Sequence, residues 1–406
     1  MTRFQAMIYA SCAFLTGTAM AGDLFLIDAT MNGQTAHAGF NTAEDAANLY
    51  TTGELDNILP GYNGTQAVVS RLNFRGMPVN LSYPTAGSTL MVFDVPSINE
   101  HKTFQGATRD ESQAQFKDYL EKNPDLLARM QKELVKVSPV DPVAGNPNSL
   151  MSRTATLDYA QGFAVGPTGA SGGDGVNKFG VAITYSHMVT DAVNGLSSQD
   201  SDTISLPLSY SHRFDEPNHE LIVNLPLSYT TNNGAKSYDA GAGILYRWPA
   251  RENWVLSVGG NLRATGSVDL LSGAALASGT LMSSYVFGDV DAPWTLTMGN
   301  MISYYRSVSG KINGSSYNPE LSNIIYKNGL LYAHKLGGDE RTVEVYIVDT
   351  RFSGTDLFSS YQDEIGITYG TRRPSHASAT DYRGGISLLT GENLKTSFQL
   401  NFGGWF

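Results

Sequence analysis

The sequence predicts an all-β transmembrane barrel of about 12 antiparallel strands, preceded by a short helical segment and a small β-rich N-terminal region. Three observations favour this fold class: few charges, strands that alternate with a period of two, and a weakly polar second face on those strands. Only 16% of the 406 residues are charged, against roughly 25% in ordinary soluble domains. The single cysteine argues against a disulfide-stapled module, and the net charge of −11 argues against nucleic-acid binding.

The first 21 residues are interpreted as a cleavable signal peptide. An apolar core runs from Ala6 to Leu15, and the small residues Ala19 and Ala21 are placed for cleavage before Gly22. Cleavage removes the one cysteine, Cys12. The alternative is a retained anchor helix, which is disfavoured because the apolar run is too short to span a bilayer.

Residues 22–103 are predicted to form a small β-rich region with a turn at Arg75-Gly76-Met77. This region is either a separate domain or a source of extra barrel strands, and we favour the separate domain. The alternation of Val68, Ser70, Leu72 and Phe74 keeps the second possibility open. Strand signals lie near residues 24–27, 68–74, 79–83 and 90–95.

Residues 104–137 form the predicted helical segment. Asp110 is the candidate cap of a first helix, and Asn123 with Pro124 is a start signal for a second. Nearly collinear helices would run about 40 Å and thread a barrel lumen. The alternative, an amphipathic hairpin packed on the N-terminal region, is favoured because Pro124 promotes a break. A proline-rich linker at residues 138–154 then marks a boundary.

Residues 155–406 are predicted to form the barrel. In the segment 221–229, Leu221, Val223, Leu225, Leu227 and Tyr229 share one face of a strand, whereas Asn224, Pro226 and Ser228 share the other. A soluble sheet usually carries charge on its solvent face. Small polar residues inside and apolar residues outside are typical of a barrel in lipid, and the alternative is a secreted β-sandwich.

The sequence contains thirteen candidate strands. Because a single-chain bacterial barrel has an even number of strands, we predict 12. The first candidate is the weakest, because Gln161 and Gly162 interrupt its apolar face. Pro207 and Pro226 predict a bulge or local widening, because each removes a ladder donor. The candidates lie near 156–166, 178–189, 203–213, 219–230, 238–248, 252–264, 275–287, 293–306, 322–335, 340–350, 361–371, 380–389 and 394–406.

Aromatic residues near the strand ends are predicted to form the two interfacial girdles of the barrel. The candidates are Tyr185, Tyr210, Tyr229, Trp248, Trp254, Trp294, Tyr304 and Tyr369.

The final strand places Phe398, Leu400, Phe402 and Phe406 on one face. This pattern resembles the closing strand of bacterial outer-membrane β-barrel proteins, whose terminal Phe and alternating apolar positions are recognised by the barrel assembly machinery. The sequence departs from that pattern at Gly404, where the family usually has an aromatic residue. The resemblance implies the outer membrane of a Gram-negative cell, with membrane lipid and the assembly machinery as partners.

The order of segments is similar to an autotransporter translocator of the solitary β-domain type, over residues 108–406 in architecture and over the final strand in motif. In that family a roughly twelve-stranded barrel holds a linker helix in its lumen and displays an N-terminal passenger. The passenger region here, about 85 residues, is too short for the usual long β-helix. The expected function is a non-catalytic translocator or surface-display platform, acting as a monomer without cofactor, metal or nucleic acid.

Two alternative functions stay open, a passive porin-like channel for small polar solutes and a lipid-modifying enzyme. For the channel, Glu344, Asp349, Arg263 and Arg383 are candidate lumen charges. For the enzyme, a serine needs a base within hydrogen-bond reach. The candidates are His187 with Ser186, and His212 with Ser209 or Ser211, although sequence neighbours point to opposite strand faces. No metal-ligand spacing joins His101, His219, His334 and His376.

Overall fold

The computed structural model describes residues 22–50, 52–164, 176–215, 219–290, 292–312, 315–336, 341–371 and 381–406. The predicted signal residues Ala19 and Ala21 lie outside the described residues, and Gly22 is the first described one. Among the helices in these ranges, none has the length and apolar character needed to cross a membrane.

The N-terminal region is a separate six-stranded antiparallel sheet with the strand order β2-β1-β3-β4-β5-β6. Of the two possibilities left open by the sequence, the separate domain is therefore the right one. Arg75 and Gly76 both take positive φ, 53° and 96°, in the predicted turn between the third and fourth strands. The strands are β1 (Phe25–Met31), β2 (Gln34–Phe40), β3 (Val68–Phe74), β4 (Met77–Tyr83), β5 (Met91–Val95) and β6 (Glu100–Phe104).

Four helices complete this N-terminal domain: α1 (Ala43–Asn48), α2 (Thr52–Ile58), α3 (Arg109–Lys122) and α4 (Pro124–Val137). Buried side chains of α3 and α4, including Phe116, Leu126 and Leu134, belong to the same core as the sheet. The two helices thus pack on the N-terminal domain and do not thread the barrel. The predicted cap of α3 is wrong by two residues, because the Thr108 hydroxyl accepts from Glu111 N. Pro124 opens α4 as predicted.

Glu100 ties the sheet to both long helices. Its carboxylate accepts hydrogen bonds from Tyr119 Oη at 2.7 Å and Arg129 Nη2 at 2.6 Å. Burial acts to raise the pKa of Glu100, but the hydrogen bonds from Arg129 and Tyr119 outweigh it and hold that pKa below its ordinary value. Burial and the bond to Glu100 raise the pKa of Tyr119 to about 12.

A fifth helix, α5 (Leu150–Phe163), follows the proline-rich segment. Three expectations are corrected here: residues 156–166 are not a strand, the linker ends before residue 150, and the barrel begins at Asn177 rather than at residue 155. The physical reason is burial. Nearly every side chain of α5 is buried, so its sequence carries neither the helical nor the strand period of a half-exposed element.

Twelve antiparallel strands close into the barrel, as predicted. They correspond one for one to the remaining twelve candidates. A small hairpin, β14 (Gly310–Ile312) with β15 (Ser315–Tyr317), lies in the connection at residues 309–321. The barrel strands are β7 (Asn177–Thr190), β8 (Asp200–Arg213), β9 (Glu220–Asn232), β10 (Ala235–Arg251), β11 (Trp254–Ser267), β12 (Ser272–Phe287), β13 (Trp294–Val308), β16 (Ser322–Leu336), β17 (Arg341–Gly354), β18 (Tyr361–Thr371), β19 (Asp381–Gly391) and β20 (Leu394–Trp405).

The barrel has two ends, which we name by what lies there. The terminal rim holds the start of β7 and the chain end, where Phe179 N donates to Phe406 O at 3.0 Å. The domain rim is the opposite end, formed by the connections that follow β7, β9, β11, β13, β17 and β19.

The outer surface of the barrel is apolar. Ile183, Leu225 and Leu262 between the rims are each more than half exposed. Trp248 and Trp294, both 54% exposed, lie near the terminal rim, where the sequence predicts a girdle. An apolar belt with aromatic residues near its edge is typical of a barrel in lipid.

The two strand prolines interrupt the barrel wall. Pro207 and Pro226 face each other across β8 and β9. The register of β7 with β8 runs to the pair Val181–Leu208 and resumes at Thr184–Ser205. The register of β9 with β10 likewise skips the positions around Pro226. The predicted local disturbance is therefore present. Pro207 has no N–H to donate to β7, and Pro226 has none to donate to β10.

Candidate functional site: the occupied lumen

Helix α5 lies inside the barrel, running from the domain rim toward the terminal rim. Just before its start, Asn148 Nδ2 donates to Ser201 Oγ at 2.9 Å, near the first residues of β8. Near its end, Gln161 Oε1 accepts from Asn224 Nδ2 at 3.2 Å, close to the terminal-rim end of β9. The helix therefore occupies the lumen over most of the height of the wall.

Charged groups lock the helix to one side of the wall. The Arg153 guanidinium pairs with Asp239 and donates to Thr230 Oγ1 at 3.2 Å. Asp158 Oδ2 accepts from Asn261 at 2.8 Å and from Thr280 at 3.2 Å. Buried charges need partners of this kind, because the protein interior solvates an ion poorly. These contacts fix α5 to β9, β10, β11 and β12.

The other side of α5 packs against apolar wall residues from β12, β13, β16 and β17. Its aromatic rings lie directly on wall glycines. A Cβ at Gly299 would stand 2.5 Å from the Phe163 ring, and a Cβ at Gly329 would stand 2.4 Å from Tyr159 Oη. Tyr159 Oη also donates to Gly299 O at 3.0 Å. The small residues of this wall provide space for the helix. The cluster includes Ala155, Tyr159 and Phe163 of α5 with Leu276, Met282, Met301, Tyr305, Ile325, Leu331, Tyr346 and Val348 of the wall.

Wall-to-wall ion pairs line the lumen near the terminal rim. Lys178 Nζ lies 2.8 Å from Asp381 Oδ2, and Arg247 Nη1 lies 3.1 Å from Glu220 Oε2.

The four predicted lumen charges have different outcomes. Arg383 pairs with Glu344 at 3.1 Å, with both side chains buried, as the sequence suggested. Arg263 is also buried in the lumen, where it donates to Asn224 Oδ1 at 3.3 Å. Asp349 lies on the outer face of β17, on the side of Val345, and pairs with Arg351. Three of the four candidates therefore line the lumen.

A buried cluster clasps the N-terminal domain to the domain rim. Arg75 Nη1 lies 3.3 Å from Asp141 Oδ2, and both side chains are fully buried. Burial lowers the pKa of Arg75, and Asp141 acts in the opposite direction. Asp141 also accepts from Gln131 at 3.0 Å, from Val143 N at 2.9 Å and from Ser272 Oγ at 3.3 Å. One carboxylate thus joins the sheet, α4, the linker and β12.

Hydrogen bonds to backbone carbonyls surround this clasp. Ala43 N donates to Asp269 O at 2.8 Å, in the connection after β11. Phe358 N, in the connection after β17, donates to Val135 O at 2.9 Å. The side-chain Nδ2 of Asn194, in the connection after β7, donates to Val137 O at 2.8 Å. The N-terminal domain is therefore held by several rim connections, and not by its linker alone.

A cavity of about 110 Å³ remains between α5 and the wall. Its wall side is formed by residues of β7, β8, β9, β11, β16, β17, β18 and β20. Its lining includes Arg153, Leu157, Ala160, Thr184, Ser205, Pro207, Pro226, Ser228, Arg263, Lys327, Tyr346 and Glu364.

The serine–histidine candidates for catalysis do not meet. His187 points outward, with Nδ1 2.9 Å from Asp202 Oδ1, whereas Ser186 points into the lumen and donates to Asn148. His212 and Ser211 are separated in the same way. His212 is paired with Asn177 on the outside, and Ser211 is buried inside.

No group of three His, Cys, Asp or Glu side chains suited to a metal ion occurs in the described part of the chain. His376 lies outside that part. His219 stacks on Phe214 with ring centroids 4.5 Å apart, and His101 lies 3.6 Å from Asp94.

No sequence pattern identified the residues that hold α5 in the lumen as a plug, or those of the buried Arg75–Asp141 cluster, the clasp. Arg153 and Asp141 were included in the linker, and Asp158 was included in a strand. Arg75 was noted only as part of a turn. A charged residue at a tight turn, where glycine or asparagine is usual, is the one signal that marked it.

No family model matches the sequence, and no curated protein matches it. Solved structures similar to this chain include domains of autotransporters and an outer membrane channel. The beta domain of the Bordetella autotransporter BrkA is 10% identical, covering 57% of this chain and 99% of its own, with a TM-score of 0.43. The translocator domain of the autotransporter NalP from Neisseria meningitidis is 10% identical, covering 63% and 94%, with a TM-score of 0.42. An outer membrane channel from Pseudomonas putida F1 is 14% identical, covering 59% and 98%, with a TM-score of 0.41. The chain's own geometry, a closed antiparallel barrel with an apolar exterior, is that of an outer-membrane β-barrel.

Proposed function

We propose that this protein is a non-catalytic, autotransporter-like outer-membrane anchor that displays its N-terminal domain at the mouth of a plugged barrel. One observation carries the proposal. Helix α5 fills the lumen and connects the barrel to a folded domain that is clasped to the domain rim. The chain therefore passes from the displayed domain through the barrel to the first strand.

The longest connection supports an outward-facing domain rim. This connection, at residues 309–321, lies at the domain rim and carries its own hairpin. Outer-membrane barrels have short periplasmic turns and longer extracellular loops. We infer that the N-terminal domain faces the medium.

An epitope tag tests this orientation. A tag inserted in the exposed β1–β2 turn at Asn32-Gly33 is expected to bind antibody on intact cells. The matched control carries the same tag in the two-residue β10–β11 turn at Glu252-Asn253, on the terminal rim. That tag should bind only after the outer membrane is permeabilised. The opposite pattern would contradict display.

Conductance distinguishes the plugged anchor from a passive channel. The full chain in a planar bilayer is expected to stay closed, because α5 contacts the wall on both its polar and its apolar side. Asp158→Lys places a second cation among the wall residues around Arg263 and is expected to cause frequent openings. A steady open current through the unmodified chain would favour the porin-like alternative.

The side chains on the outer face of β20 support the proposal that the barrel assembly machinery inserts this protein. Leu400, Phe402 and Phe406 are 41%, 57% and 62% exposed there, and Phe398 lies on the same face. We propose that these side chains are the assembly signal, with membrane lipid as their final surroundings and the protein as a monomer.

A further inference from the structure

Strand β2 is an unprotected edge of the N-terminal sheet. It is the outermost strand and pairs with β1 alone. The two-residue turn at Asn32-Gly33 makes Met31–Gln34 the first hydrogen-bonded pair, so alternate residues after it direct their backbone N–H and C=O groups away from β1. These residues are Thr35, His37 and Gly39, and none of their backbone groups has a partner outside the β1–β2 pair among the described residues. The edge therefore offers a row of free donors and acceptors to another extended chain.

The opposite edge of the same sheet, β6, is protected. Lys102 of β6 points toward α3, with Nζ 5.5 Å from the centre of the Tyr119 ring. Gln115 of α3 exchanges hydrogen bonds with the backbone of Gln105, just after β6, at 3.1 and 3.3 Å. An edge lysine and a covering helix are two means by which proteins prevent the addition of a strand. Strand β2, by contrast, contains no lysine, arginine, acidic residue or proline.

Helices α1 and α2 pack with the inner face of β2. Ala36, Ala38 and Phe40 point to that face and adjoin the core of the domain. On the other face the His37 side chain is 74% exposed, and Thr35 is exposed as well. A second chain can thus approach β2 in the plane of the sheet, where the free backbone groups lie.

The surroundings of the β2 edge are acidic. Residues 22–70 contain six acidic residues and no lysine or arginine. A Cβ at Gly39 would collide with the Asp23 carboxylate, which therefore lies directly against β2. The others lie on β1, α1 and α2, the elements that adjoin β2 in the chain or in the sheet. The six residues are Asp23, Asp28, Glu44, Asp45, Glu54 and Asp56. Charge complementarity favours a basic partner at this edge and disfavours a second copy of the same acidic edge.

We propose that β2 binds an extended, basic polypeptide segment of another protein, which adds to the N-terminal sheet as a seventh strand. Backbone hydrogen bonds to β2 supply the affinity, and the side chains of the added strand supply the specificity. Alternate side chains of that strand lie on the exposed face, near Asp23 and Asp28, where lysine or arginine is favoured. The proposal concerns the N-terminal domain alone and holds whichever way the domain rim faces.

Fluorescence anisotropy with the full chain in detergent tests this binding. The probe is a labelled octapeptide of alternating lysine and valine, and its matched control alternates glutamate and valine. We expect the lysine peptide to bind at least tenfold more tightly. His37→Pro removes an outward N–H in the middle of the edge and should weaken that binding at least tenfold. His37→Ala keeps the N–H and should bind within twofold of the unmodified chain. Equal binding of the two peptides, no binding of the lysine peptide, or equal effects of the two substitutions would overturn the proposal.

Hydrogen exchange of the unmodified chain locates the bound peptide without any substitution. Amide exchange in residues 34–40 should slow when the lysine peptide binds, whereas exchange in residues 100–104 should stay the same. Thr35→Pro acts at the neighbouring outward N–H and serves as a second variant, and unchanged resistance of the N-terminal domain to proteolysis shows that each variant is folded. Protection at β6 instead of β2 would refute the proposal. So would a dimer of the unmodified chain that His37→Pro abolishes, because a second copy would then occupy the edge.

Discussion

The clasp between Arg75 and Asp141 gives an asymmetric prediction. Asp141→Asn leaves the fully buried Arg75 guanidinium without a counter-charge, and its Nε and Nη2 already have no hydrogen-bond partner in the described structure. Removing one partner of a buried ion pair costs about 3–5 kcal/mol. Arg75→Met, by contrast, leaves the carboxylate with donors from Gln131, Val143 N and Ser272. That change should cost about 1.5–3 kcal/mol, the value of one charged hydrogen bond.

Native-state proteolysis at low protease concentration, in a urea series, measures these effects on the N-terminal domain alone. The cleavage rate reports the population of the open domain, and hence its free energy of unfolding, provided that opening and closing are fast relative to cleavage. The barrel is the internal control, because its gel mobility without boiling should be the same in all variants. The double variant Arg75→Met/Asp141→Asn should be less destabilised than the sum of the single variants, since each removes the other's unpaired charge. A larger loss for Arg75→Met than for Asp141→Asn would refute this reasoning.

Three further predictions concern the plug, the domain and assembly. Gly299→Ala should destabilise the seating of Phe163 by about 1–3 kcal/mol and increase channel openings in a planar bilayer, whereas Gly279→Ala, with open space around it, should not. The pKa of Glu100 is depressed in the folded domain. Its contribution to the free energy of unfolding is therefore present above the pKa of Glu100 in the unfolded chain and is lost as the pH falls. Proteolysis between pH 3 and 7 should show domain stability declining below about pH 4.5, less so in Glu100→Gln. Deleting Phe406 should lower the heat-modifiable barrel recovered in outer membranes severalfold.

The barrel strands were predictable because each separates two different environments. In β9, Leu225 and Leu227 are exposed to lipid while Asn224 and Pro226 face the lumen, and this difference produces a period of two in the sequence. The amphipathic helix α4 was predictable for the same reason, since Leu126, Met130 and Leu134 contact the sheet. A periodic sequence pattern arises where one face of a strand or helix contacts one environment and the opposite face contacts another.

The lumen site was not predictable by that method, because α5 is surrounded by protein. Arg153 and Asp158 are polar residues inside a buried helix, and their partners Asp239 and Asn261 lie far away in the sequence. No local pattern encodes such pairs. The clasp has the same character, with Arg75 and Asp141 separated by 66 positions in the sequence.

The small residues of the barrel wall show how this limit affects the functional interpretation. The sequence indicates a lumen face of small polar residues, and its four candidate lumen charges kept a porin-like channel open as an alternative. At Gly299 and Gly329, however, the missing side chains are replaced by the rings of Phe163 and Tyr159. A small side chain on the lumen face leaves space that either water or a closely packed helix can fill. Composition therefore cannot distinguish an open pore from a plugged one, and the distinction depends on the contacts of the helix.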